Sequence, residues 1–151
     1  MSAPRRPRAQ PTRVLVAVHD APASLRAARL AIAVAATVRC PLLVVTVVPD
    51  GPLHRALATL SLEPDSEARQ HTAAQSVLRH VADLAAKAGV AAEVRELCTH
   101  PGEGVLAAAL DWGADLLVVG RNETTDHTPG RVGDVALHVL ELSMVPVLVV
   151  P

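Results

Sequence analysis

The residues best placed to do chemistry lie in the last third of the chain. Ala114-Asp115-Leu116-Leu117-Val118-Val119-Gly120 reads as a buried strand running into a glycine turn. A polar loop follows, then Gly133-Asp134 and the closing run Val145-Pro146-Val147-Leu148-Val149-Val150. Strand, glycine turn and helix start are the parts with which an α/β sheet presents backbone amides to a phosphate. Here two of the phosphate-facing positions are acidic, Glu123 in the loop and Asp134 at the helix start. A carboxylate ~4 Å from a phosphate charge costs about 1–4 kcal/mol per pair at effective dielectrics of about 80 to 20. Both acids therefore work against a bound triphosphate unless a metal ion intervenes.

Other polar residues make weaker patterns. His19, Asp20, Glu123, Asp126, His127, Asp134 and His138 are metal-ligand types that one rim could gather. No tight motif such as His-Glu-x-x-His is present, so solvated loops are expected there and no metal site. Asp134 and His138 stand four apart, a spacing that pairs Asp⁻ with His⁺ on a helix. Ser24, Ser61, Ser66, Ser76 and Ser143 lack a nucleophile elbow. Cys98, with His100 two residues on, has the outline of a reactive thiol; a buried, inert cysteine is expected instead. His54, His71 and His80 are expected to be exposed. No residue is assigned a catalytic role.

Composition narrows the function further. The chain has 151 residues, half of them apolar, with Trp112 its only aromatic residue. That length suits one domain with a sizeable core built from Val, Leu and Ala. Without Tyr or Phe there is no platform for stacking on nucleic-acid bases. The formal net charge of −1 gives no field toward nucleic acid or membrane. Lys87 is the only lysine, which argues against a catalytic lysine and against a Walker P-loop. No apolar run reaches the ~18 residues of a membrane span. Residues 1–11, with Arg5, Arg6 and Arg8 among prolines, read as a disordered tail, and residues 12–151 as the domain. Cys40 and Cys98 fall at opposite ends of neighbouring strands, about 20 Å apart, too far for a disulfide. A reduced, cytoplasmic protein is expected.

The elements that position these residues alternate. Val14–Val18 is a strand with no polar alternation, as for one covered on both faces. A helix opens at Pro22-Ala23-Ser24 and runs to about Val38, apolar nearly all round, so deep packing is expected. Leu42–Val48 is the second strand, and residues 49–65 a connector. A long helix covers about Ser66–Ala88 and stops at Gly89. Val90–Leu97 is a half-polar, edge-like strand. A short helix from Pro101 to Trp112 follows, with Trp112 expected to pack it on the sheet. Leu116–Val119, a helix from Gly133-Asp134 and the strand Val147–Val150 complete the series. Right-handed crossovers turn this into an open, five-stranded parallel sheet of order 3-2-1-4-5 with helices on both faces, a Rossmann-like α/β fold. Its switch point lies between strands 1 and 4, at the loops His19–Ser24 and Arg121–Thr128. The apolar closing strand at a sheet edge invites pairing with a second copy.

Over residues 12–151 the chain resembles the universal stress protein family. The resemblance rests on Val14–Val18 leading into Asp20–Ser24, on Ala114–Gly120, and on Val145–Val150, in that order and spacing. It implies an adenine nucleotide alpha hydrolase-like fold and a homodimer through Val147–Val150. The ATP-binding branch of the family carries Gly, two residues, Gly, nine residues, then Gly-Ser or Gly-Thr. Gly120 and Gly133 match that pattern, while Glu123 and Asp134 replace its middle glycine and its hydroxyl residue. His19 stands where that branch has an aspartate, and Val47 matches a position whose backbone meets adenine. The loop lacks the leucines that pack it in relatives, so it is expected to be mobile.

The reading that follows is a non-enzymatic stress-response or regulatory dimer with weak or no ATP binding and no cofactor. Asp134, a good helix N-cap by type, and Glu123 would stand in for the phosphate. One alternative is a nucleotide sensor taking ATP, AMP or a cyclic nucleotide through His19, Asp20, Val47, Gly120 and Gly133. A second is a slow ATPase or metal-dependent hydrolase.

Overall fold

The computed structural model describes residues 9–50, 55–56, 59–60, 66–121 and 132–151. Among the described residues nine elements alternate. They are β1 (Val14–Ala17), α1 (Pro22–Val38), β2 (Leu42–Val48), α2 (Ser66–Lys87), β3 (Ala92–Cys98), α3 (Pro101–Trp112), β4 (Leu116–Gly120), α4 (Asp134–Leu142) and β5 (Val147–Val150). The five strands form one parallel sheet in the order β3-β2-β1-β4-β5. This is the architecture expected from the sequence. The expected tail and the 49–65 connector fall largely outside the described residues, as does the loop that contains Glu123, Asp126 and His127.

Side-chain parity divides the apolar runs between two cores. Val14, Val16, Leu42, Val44 and Val118 face α1 and α2, against Ala27, Ala28, Ala31, Ile32, Val77, Leu78 and Val81. Leu15, Leu43, Val45 and Leu117 face α3 and α4, against Val105, Ala108, Ala109, Trp112 and Val139. A strand with helices on both sides must be apolar at odd and even positions alike. Val14, Leu15 and Val16 are accordingly sealed from solvent.

Several boundaries differ from expectation for local reasons. Val90 belongs to the turn before β3: its amide donates to the Ala85 carbonyl, closing α2 while Gly89 takes φ +70°. That left-handed backbone is open to glycine at little cost. The shift starts β3 at Ala92 rather than Val90 and carries it on to Cys98. Val18 lies outside β1 yet stays buried, its amide donating to the Val45 carbonyl at 2.8 Å. α1 is not packed all round as expected. It buries Ala23, Ser24, Ala27, Ala28, Ala31, Ile32 and Ala35, but turns Leu30, Ala33 and Ala36 to solvent. Alanine on both faces reads as apolar in sequence whether or not it is covered.

Trp112 ends α3 inside the second core, as expected. The Arg13 guanidinium lies 4.5 Å from the centre of its ring and covers its outer side. Thr12 and Arg13 are in turn fixed by Asp115, whose carboxylate accepts both backbone amides at 2.9 Å and the Thr12 hydroxyl at 2.6 Å. Replacing Trp112 with Ala should lower unfolding stability by about 3–5 kcal/mol, since no other aromatic can fill the gap. Urea denaturation followed by circular dichroism measures this; a loss below ~1 kcal/mol would mean that the ring is not a core element.

Candidate functional site

The strand order reverses at β1 and β4, and a cleft of about 280 Å³ opens beyond their carboxyl ends on the α3/α4 side. Its walls are Ala17, Val45, Val47, Val105, Val119 and Val135, and its rim carries His19, Ser24, Gly120, Gly133 and Ala136. Most of this surface is aliphatic. Polar recognition falls to a small number of groups, as in small-molecule sites generally.

The backbone of β2 supplies one such group. The Val45 carbonyl accepts the Val18 amide, so Val45 turns its backbone toward β1. Backbone direction repeats every second residue along a strand. Val47 therefore presents its own N–H and C=O to the same side, where β1 has already ended. An amide and a carbonyl side by side at an aliphatic wall make a donor–acceptor pair suited to the edge of a heterocyclic base.

Gly120 is required by packing. A Cβ there would lie 2.9 Å from the Ala23 carbonyl carbon and 2.9 Å from the Ser24 nitrogen. The described glycines with positive φ are Gly89 and Gly113, so at Gly120 it is the close approach of β4 to the start of α1 that requires glycine. The same approach buries Ser24, whose Oγ accepts the His19 amide at 2.8 Å and holds the β1–α1 loop in shape.

Gly133 is the N-cap residue of α4 and is buried. Its amide donates to the Arg121 carbonyl at 2.7 Å, which ties the two ends of the polar loop together. Asp134 is the first residue of α4 and exposed, and α4 has no side-chain cap. The expected N-cap role of Asp134 is thus corrected: Gly133 occupies that position, one residue earlier. Asp134 still adds negative charge to the first turn, where the helix dipole favours it. It does not line the cleft, although Gly133 and Val135 on either side do. Glu123 lies outside the described residues.

The suggested Asp134–His138 pair does not form. His138 packs on the start of α3 instead, its ring centre 5.9 Å from that of His100. Gly102 makes the space, since a Cβ there would meet the His138 ring at 2.4 Å. His138 Nε2 is buried with no hydrogen-bond partner among the described residues. Cys98 is exposed, not buried as expected, whereas Cys40 is buried; both are free thiols. His80 is exposed, but His71 is half-buried against Glu96. Sequence reasoning had no means of pairing those two, because the register of a helix on a sheet is not written in either segment alone. The contribution of α3 to the cleft, through Pro101 and Val105, was missed for the same reason.

These features define a Rossmann-like α/β domain with an aliphatic cleft at its switch point. The universal stress protein family model matches residues 11–151, and the chain belongs to that family. No curated protein matches it in sequence. Among solved structures it is similar to the universal stress protein UspA from Lactobacillus plantarum (20% identity, TM-score 0.79), with 95% of this chain and 100% of that one covered. It is similar also to a universal stress protein in complex with cAMP (26% identity, TM-score 0.71, covering 95% and 99%). A third is the universal stress protein from Archaeoglobus fulgidus in complex with dAMP (20% identity, TM-score 0.68, covering 93% and 98%). Among the described residues no helix is long and apolar enough to cross a membrane.

His19 offers a direct test of the site's electrostatics. Crowding at the rim pushes its imidazole below the ordinary value of 6.5, and the adjacent Asp20 carboxylate pulls the other way with smaller effect. The unfolded chain takes up this proton near 6.5, while the folded chain resists it until lower pH. Folding stability contributed at His19 is therefore lost as pH falls through 6.5 toward the folded value. Imidazole titration by NMR should give a midpoint below 6.5, and His19→Gln should flatten the acid slope of stability; a midpoint above 6.5 would reverse the assignment.

Proposed function

We propose that this protein is a non-enzymatic stress-response regulator whose cleft takes an adenine mononucleotide in preference to ATP. The observation that carries the reading is the Val47 backbone pair facing past the end of β1 into an aliphatic cleft. Two of the similar structures are complexes with cAMP and dAMP, both single-phosphate adenine nucleotides. The cleft, about 280 Å³ and mostly aliphatic, is close in size to the smaller small-ligand sites. On the phosphate side, Asp134 places a carboxylate beside the cleft and the Gly133 amide is spent on Arg121. Each added phosphate charge would come closer to that acid. Among the described residues that line the cleft, His19 is the only titratable one, which supports a binding role over a hydrolytic one.

Thermal-shift and calorimetric titrations with AMP, cAMP, dAMP and Mg-ATP test this. Mononucleotides should stabilise the wild type and Mg-ATP should not; at about 100 times the dissociation constant a ligand adds about 2.7 kcal/mol. The double variant Glu123→Gly, Asp134→Ser should gain ATP stabilisation. Micromolar ATP binding by the wild type would end the charge argument, and no response to any nucleotide would end the mononucleotide reading.

We also infer a homodimer through β5. The Pro146 and Val150 carbonyls accept amides of Leu117 and Arg121, so even-numbered residues of β5 face β4. Val147 and Val149 then turn their backbone groups outward at an aliphatic edge, next to exposed Leu142 and Met144. Static light scattering should give twice the chain mass. Val149→Pro removes an outward amide and leaves the β4 ladder intact, so it should give a folded monomer; a dimer in that variant would place the interface elsewhere.

A further inference from the structure

The opposite face of the sheet carries a group of side chains that the cleft does not use. Glu96 and Cys98 are two apart on β3, so they share a face, and that face is the one α2 covers. His71 on α2 comes down on them. His71 Nδ1 is in hydrogen-bond contact with the Glu96 carboxylate, and Gln75, one turn further along α2, donates its amide to the other Glu96 oxygen. The donor atoms of His71, Glu96 and Cys98 all lie within 4.8 Å of one another. Glu96 is the more covered partner of the ion pair, its side chain 15% exposed against 40% for His71, and Cys98 stands at the open side.

We propose that His71, Glu96 and Cys98 form a binding site for a zinc-class divalent cation. The donor set is one imidazole, one carboxylate and one thiol, all types that zinc accepts, and three protein donors with a fourth position left to solvent is a known zinc arrangement. The thiol selects against magnesium and calcium, which take oxygen ligands. Gln75 already does what an outer partner of a ligating carboxylate does: it fixes the carboxylate's orientation. A plain ion pair between α2 and β3 would need His71 and Glu96 alone and would give no part to the sulfur. On metal binding the ion takes the place of the proton between His71 and Glu96, which moves to His71 Nε2 or to solvent, and the Cys98 thiol loses its proton to solvent. The bound ion would fasten the edge strand to the crossover helix. This site is on the other side of the sheet from the cleft, so it stands or falls apart from the nucleotide reading.

The test uses the full chain without a polyhistidine tag, reduced and stripped of metal, titrated with Co²⁺ alone and then with Zn²⁺. One equivalent of Co²⁺ should saturate a near-ultraviolet sulfur-to-cobalt charge-transfer band, and Zn²⁺ should displace it. Cys98→Ser should abolish the band, while Cys40→Ser should keep it. His71→Ala and Glu96→Gln should each weaken Co²⁺ binding at least about tenfold, the lower bound for losing even an outer partner. Circular dichroism of each variant reports its fold, and exposed Cys98 can be changed without opening a core. No saturable band at micromolar Co²⁺, or a band undiminished in Cys98→Ser, would overturn the site.

Discussion

The ladder that β1 makes with β2 on one side and β4 on the other fixes every other position in the molecule. Val14, Leu15 and Val16 pair with Leu42, Leu43 and Val44 and with Leu116, Leu117 and Val118. Because β1 is short, its neighbours run past it, and the step at its end is the cleft. β2 continues to Val48 and shows the backbone of Val47 at that step; β4 ends on Gly120 against the first turn of α1. A longer β1 would cover Val47, and a side chain at Gly120 would push α1 away.

A core without Phe or Tyr changes how the layers meet. Alanines along α1 and α3 let the helix backbones approach the sheet closely, and the branched side chains of the strands fill the remaining volume. Such packing has little slack, because interiors are near crystal density and each methyl group is felt. The one large ring, Trp112, sits at the end of α3 with Arg13 laid over it. The close approach at Gly120 belongs to the same scheme.

The strand order and helix series were legible because apolar runs, Pro22, Gly89 and Pro101 punctuate the chain clearly. The place of the cleft was legible too, since Gly120 and Gly133 line it. What the sequence did not show depends on relations between elements. Alanine-rich α1 gave no sign of which face would be bare. Asp134 looked like a cap by residue type, but the helix begins one residue earlier than that role needs, so Gly133 takes the cap position. Whether His138 met Asp134 or α3 turned on a space left by Gly102, thirty-odd residues away in the chain. His71 and Glu96 belong to different elements, and only the docking of α2 on β3 brings them together.

The two rims of the sheet are unlike. β3 carries Glu93 and Arg95 along its length, with Arg95 bonded to Glu93 at 2.7 Å and to Asp111 of α3 at 3.2 Å. Charges on an edge strand discourage further strands from adding. β5 has only aliphatic residues. A sheet with two sticky margins could grow without limit into fibrils, whereas one with a single sticky margin is spent after one addition. Any strand added at β5 would therefore meet no second open margin on this sheet, and growth by strand addition would stop after one step.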